Sequence, residues 1–224
     1  MAQIAEFIRE GGPAMYINIL FLAVALAIII ERFVQLFFRF NVNATTFMTQ
    51  IEKLILTNNL ERAVKLCNSA PNAALPRVVK SGLSRANRGT VAVASALEEA
   101  IMEITPYLTK RVQSLWSLAN IATLTGLIGT VFGLIGAFKA VAVAAPDQRQ
   151  TVLTKSLAEA MNNTAFGLTI AVVCIVMHLI LSGFSKKLLD DVEFNALRLE
   201  NLLARRAQGE LNAAEAPGAR PAGQ

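Results

Sequence analysis

Apolar residues gather along the chain into three blocks, at residues 14–38, 115–145 and 164–184. Each is long enough to cross about 30 Å of hydrocarbon as a helix. Elsewhere the pattern is that of amphipathic helices. Ile51, Leu54 and Ile55 recur at helical spacing, as do Leu60, Val64 and Leu66 beyond the Asn58-Asn59 break, with Ala70-Pro71-Asn72 and Leu75-Pro76 marking the turn that follows. From Thr90 the set Val91, Ala94, Leu97, Ile101 and Ile104 predicts a helix running towards the second block, kinked at Pro106. After the third block, Leu188, Leu189, Val192, Ala196, Leu199, Leu202 and Leu203 form an apolar stripe among Asp190, Asp191, Glu193, Arg198 and Glu200. Such a stripe needs a surface to pack on. The expected fold is an all-α integral membrane protein with three transmembrane helices and long helical extensions.

The predicted organisation is an amphipathic segment at 1–13 carrying Ile4, Phe7 and Ile8, a first span at 14–38, a helical domain at 39–114 and a second span at 115–145. A connection at 146–163, a third span at 164–184, a helix at 185–208 and a disordered Ala/Gly/Pro-rich tail at 209–224 complete it. A Gly11-Gly12-Pro13 turn separates the first two. Ala23, Ala25 and Ala27 create A-x-A patterns inside the first block, but Arg9 is set against Glu6 and Glu10, and apolar sequence continues through Ile28, Ile29 and Ile30. A retained helix is therefore expected here rather than a cleaved signal.

Composition supports the membrane reading: 54% of residues are hydrophobic and only 17% charged. The net charge of +5 follows the layout of the spans. Ten Lys and Arg lie at 39–114 and six at 185–224, against one at 1–13 and three at 139–163. That asymmetry puts the long loop and the C-terminus in the cytoplasm and the N-terminus outside. No basic cluster interleaved with aromatics points to nucleic acid. Cys67 and Cys174 lack any metal or redox spacing, and no catalytic set is present, so neither an enzyme nor a cofactor is expected.

The second and third spans carry more than a plain anchor needs. Ala122, Gly126, Gly129, Gly133, Gly136 and Ala140 recur at three- and four-residue steps, which allows helices to approach closely, either within one bundle or between copies. With only three spans, an oligomer is expected. Thr123 and Thr130 share a face of the second span, where Asn120 and Thr125 also lie. A threonine in a membrane helix commonly bonds back to its own helix; two on one face also suit a lined pathway. In the third, Glu159, Asn163, Gly167, Cys174 and His178 fall in one narrow sector, from which Thr164 is offset. Glu159 reads as a site for ion handling or as an interfacial surface carboxylate. His178 reads foremost as a helix-interface hydrogen-bonder, Cys174 as a small packing residue, and Glu31-Arg32 as a mutually paired boundary couple.

Two motifs, Gly126-Leu127-Ile128-Gly129-Thr130-Val131-Phe132-Gly133 and Ala158-Glu159-Ala160-Met161-Asn162-Asn163-Thr164-Ala165-Phe166-Gly167-Leu168, resemble those of the MotA/TolQ/ExbB proton-channel family. The Gly-Pro-x-Met start at Gly12 and the Glu31-Arg32 ending fit as well, and the three-span layout is similar to the TolQ/ExbB branch. The resemblance covers about residues 8 to 205, the cytoplasmic loop in layout only. It implies a stator subunit of an ion-driven motor in the bacterial inner membrane: five copies around a dimer of single-span ExbD/TolR-like partners whose transmembrane Asp accepts the proton. It also implies that Thr130 and Thr164 line the inner channel, with Glu159 nearby. The transported ion would be a proton, with sodium as the alternative. Thr123 departs from the Pro common there in relatives, and Asn162 and Asn163 from residues usually apolar or small. The competing functional class is a non-conducting oligomeric scaffold in which the glycines and threonines only pack helices.

Overall fold

The computed structural model describes residues 12–39 and 43–215. Among them every regular element is helical: α1 (Gly12–Val34) with a π-helical continuation (Gln35–Arg39), α2 (Ala44–Leu56), α3 (Leu60–Asn68) and α4 (Ala74–Ser84). A 3₁₀ turn (Ala86–Arg88), α5 (Thr90–Thr109), α6 (Val112–Val143) and α7 (Arg149–Glu215) follow. Three stretches are long and apolar enough to cross a membrane: Met15–Phe37, Thr90–Val143 and Arg149–Gly209. Each overlaps one apolar block.

Gly12 and Pro13 form the first turn of α1, where a proline's missing N–H costs nothing. The rest of the expected amphipathic segment, including Gly11, lies outside the described residues. The turn between the second and third spans is confined to residues 144–148, so most of the connection expected at 146–163 is already helical. At 67 residues α7 is about 100 Å long, far more than a bilayer's apolar thickness demands. It passes Gly209 without a break and is described to Glu215.

The described chain divides into two compact units. One takes its residues from Met1–Phe33 and Lys110–Gly183, and the other from Val34–Thr109 and Phe184–Gln224.

In the second unit, local chemistry sets the helix ends. The Asn43 side chain accepts a hydrogen bond from the Thr46 amide at 3.3 Å and caps α2. At the other end Asn58 takes a left-handed conformation (φ 58°), which Asn tolerates, and the Asn59 amide reaches the Leu54 carbonyl at 2.8 Å. Met48, Ile51, Val78, Val79, Val93, Ala96 and Leu199 build the core. The α7 stripe is buried as its periodicity predicts, at Val192, Ala196, Leu199 and Leu203. Gly82 makes room for it: a side chain there would begin 2.7 Å from Leu97 Cδ2 and 3.4 Å from Leu199 Cδ2. Arg198 with Glu52, and Arg206 with Asn58, tie α7 to the C-terminal half of α2 and the turn after it.

One expectation for α5 is corrected. Its buried face is Val93, Ala96, Leu97, Ala100, Ile104 and Leu108, while Val91 is 82% exposed. The helix runs through Pro106. It continues to Thr109 and stops at residues 110–111, where Arg111 adopts a left-handed φ of 65°. The Leu108 carbonyl, among the last of α5 and so without a partner in its own helix, accepts the buried Ser185 hydroxyl at 2.9 Å.

Burial pushes the Cys67 thiol of α3 up to about 11, against a small opposing pull from Lys80. The thiolate is therefore scarce at neutral pH. Maleimide labelling at pH 7.5 is expected to be at least about tenfold slower for Cys67 in the folded chain than in denaturant. The preference for the protonated thiol also stabilises the fold below the unfolded thiol's ordinary value, and is lost as pH rises towards 11.

Candidate functional site

The first unit holds the candidate residues on α1, α6 and the outer part of α7. Its core consists mainly of small residues, Ala25, Ala119, Ala122, Ile170, Ala171 and Cys174, edged by Leu22, Leu118, Phe166 and Ile175. Small side chains let the helix backbones come close, the packing that membrane helices use when hydrophobic drive between them is absent. Gly126 and Gly167 meet across this contact. A side chain on Gly167 would begin 2.7 Å from the Ala122 carbonyl oxygen and 3.1 Å from Gly126 Cα; one on Gly126 would begin 3.3 Å from Thr164 Cα. Two turns along α6, a side chain on Gly133 would begin 2.6 Å from Ala160 Cβ. Gly129 is buried, whereas Gly136 has nothing within 4 Å of the place where a side chain would start. Gly136 therefore packs against nothing among the described residues.

A polar layer crosses this apolar contact. The Thr164 hydroxyl donates to the Gly126 carbonyl at 2.9 Å, joining α7 to α6. Next to it, Asn163 Oδ1 accepts from Asn18 Nδ2 of α1 at 3.2 Å, with Asn163 2% exposed and Asn18 fully buried. Asn18 Oδ1 and Asn163 Nδ2 have no hydrogen-bond partner among the described residues. Asn163 thus turns its amide to α1, where it contributes to helix packing.

The other threonines bond within their own helix, the local alternative open to any membrane threonine. Thr123 donates to the Ala119 carbonyl at 3.0 Å, Thr125 to Ile121 at 2.8 Å and Thr130 to Leu127 at 2.7 Å. Thr130 and Thr164 are both half-buried. A hydroxyl whose proton is committed to a carbonyl still carries lone pairs, so a further partner must be a donor. Glu159 is half-buried, with no hydrogen bond or ion pair among the described residues, one position before the Ala160–Gly133 contact.

At the other end of the unit, Glu31 pairs with Arg111, the residue just before α6. Both side chains are at least a third exposed. Glu31→Gln is accordingly expected to lower thermal stability by less than about 1 kcal/mol, an effect that fades further in high salt. His178 Nδ1 lies 2.9 Å from the Val112 carbonyl, which can only accept, so this nitrogen carries the proton. Its ring sits 6.0 Å from that of Trp116. Cys174 is fully buried in the small-residue core.

Against this geometry, the family model of the MotA/TolQ/ExbB proton channel family matches residues 70–193, more than half of the 224-residue chain. The chain belongs to the MotA/TolQ/ExbB proton channel family. No curated protein matches it significantly. The region matched by the proton channel model takes in all of α6 and α7 as far as Glu193, and so holds Gly126, Thr130, Gly133, Glu159, Asn163, Thr164 and Gly167. Asn18 lies outside it. Family and apolar helices together make this proton-channel relative an integral membrane protein.

Sequence reasoning missed Asn18, and did not single out Gly167 among the packing glycines. Asn18 did leave a signal: an amide inside an otherwise apolar run is costly unless it faces protein. The Gly167 contact follows only from which residue α6 brings opposite it.

Proposed function

We propose that this chain is the three-span stator or channel subunit of an ion-motive-force-driven motor in the bacterial inner membrane, in the manner of the TolQ/ExbB branch. Five copies enclose two single-span partner helices of the ExbD/TolR kind, each bringing a transmembrane Asp. The N-terminus is periplasmic; the second unit and the C-terminus are cytoplasmic. Ion flow drives rotation or conformational work on an envelope machine, whether for Tol-Pal-type envelope maintenance, TonB-type uptake or gliding.

The observation that carries this reading is the Thr164 hydroxyl, bonded to the Gly126 carbonyl in the midst of small-residue helix contacts. Its lone pairs remain available, as do those of Thr130, and a protonated carboxyl is the donor they suit. Among the described residues, the carboxylate nearest in sequence to Thr164 is Glu159, one position before the Ala160–Gly133 contact. A relay therefore needs its acid from another chain. Large apolar side chains of the spans, among them Leu124, Ile128, Phe132 and Phe138, are exposed on a single chain and need lipid or further copies to cover them.

Purification of the native complex in a mild bilayer mimic, followed by mass measurement and sequencing of what comes with it, tests the assembly. The expected result is five copies of this chain with two of a single-span protein bearing a membrane Asp. A complex of this chain alone would instead favour a scaffold.

A further inference from the structure

The contact between α1, α6 and α7 is centred on Ala25, Ala119, Ala122, Gly126, Gly167 and Ala171, with larger apolar side chains such as Ile170 and Phe166 around them. The small-residue centre is smooth. It holds the helices close, and apolar contacts around it can be exchanged for one another as a helix turns about its own axis. The Asn18–Asn163 pair is different in kind: two fully desolvated amides joined by one bond of 3.2 Å. Asn18 still has a free acceptor and Asn163 a free donor, so the two remaining atoms are complementary as well. Turning α7 either way would part the pair and leave four amide atoms unpaired where no bulk water can reach them, which is far costlier than sliding alanine over glycine. A single buried polar contact of this sort is a recognised device for setting helix register.

Thr164 follows Asn163 directly, and its hydroxyl must meet the Gly126 carbonyl. Any rotation of α7 that breaks the amide pair moves that hydroxyl by the same angle. We propose that Asn18, acting through Asn163, is a positioning residue that sets the rotation of α7 and so aims Thr164. This inference rests on the reading of Thr164 as part of the ion pathway.

The test uses the complex with its native partners, reconstituted in phosphatidylethanolamine/phosphatidylglycerol vesicles, with thermal stability and dye-reported ion flux measured side by side. Asn18→Leu and Asn163→Leu each orphan one buried amide and are expected to lower both. The double Asn18→Leu/Asn163→Leu variant leaves no amide unpaired, so its stability should return towards that of the parent. Its flux should stay at least about tenfold down, because the register contact is gone. Recovery of flux together with stability would show the pair to be merely structural and overturn the proposal.

Should the double variant fail to assemble, a thiol probe at the aimed position decides. With Thr164→Cys as the parent, adding Asn18→Ser is expected to change the methanethiosulfonate labelling rate at position 164 by about tenfold or more; an unchanged rate would overturn the proposal. Thr164→Val run alongside separates the two claims. Native flux in Thr164→Val refutes the pathway reading itself. Loss there, with native flux in the double leucine variant, refutes only the part assigned to Asn18.

Discussion

Replacing Thr164 by valine is expected to cut ion flux through the reconstituted complex by at least about tenfold, the rate equivalent of about 1.4 kcal/mol, while leaving its mass unchanged. Valine preserves the shape of threonine and removes only the hydroxyl. What is lost is the bond to the Gly126 carbonyl and the lone pairs offered to a donor. The carbonyl sits inside α6 and keeps the bond of its own helix, so the stability cost stays near about 0.5–1.5 kcal/mol, too little to dissolve an assembly held by many helix contacts. Thr130→Val should behave in the same way, since its hydroxyl bonds only the Leu127 carbonyl of its own turn. Full flux in the double Thr130→Val/Thr164→Val variant would leave the scaffold as the better account.

The largest effect on folding is expected at the glycines, and its pattern is more telling than its size. Gly133→Ala would set a methyl 2.6 Å from Ala160 Cβ. Overpacking of this degree costs about 1–3 kcal/mol. Because the obstruction is mainly another methyl, Ala160→Gly in the same chain should restore most of the lost thermal stability. At Gly167 the obstruction is the Ala122 carbonyl oxygen, 2.7 Å away and part of the backbone. Trimming Ala122 cannot relieve it, so Gly167→Ala should remain destabilised in an Ala122→Gly background. Melting temperatures of the four single and paired variants check this, and equal rescue at both glycines would mean that α6 and α7 do not meet as described.

Much of the architecture was legible because hydrocarbon imposes a length that soluble proteins need not meet. Blocks at 14–38, 115–145 and 164–184 each coincide, to within two residues at their ends, with part of a helix apolar enough to span. The stripe at Val192, Ala196, Leu199 and Leu203 was legible for a related reason: acidic and basic neighbours outline it, so only one face can be buried. α5 lacks that outline. Val91 and Ala94 are as apolar as Val93 and Ala96, and nothing local tells which set faces the core. The break at Arg111 gave no warning, since neither Lys110 nor Arg111 is a turn residue and a left-handed Arg is uncommon.

The site divides in the same way. Spacing identified Gly126 and Gly133 as contact positions, but Gly136 shares that spacing and meets open space, because spacing names a face and not the neighbour on it. The sector through Asn163 and Cys174 was correctly seen to gather on one side of α7, and both residues are buried. That Asn163 meets an amide from α1 depends on a separation of 145 residues, beyond the reach of any periodic pattern.

The account depends on the hydroxyl-bearing sides of α6 and α7 looking at a helix from another protein. A density map of the complex extracted with its surrounding lipid tests this most directly. The predicted result is a pair of foreign helices at the centre of a ring, with a carboxyl of one within hydrogen-bond reach of Thr130 or Thr164. A map in which those two threonines face lipid acyl chains, or in which the ring encloses no helix at all, would contradict it.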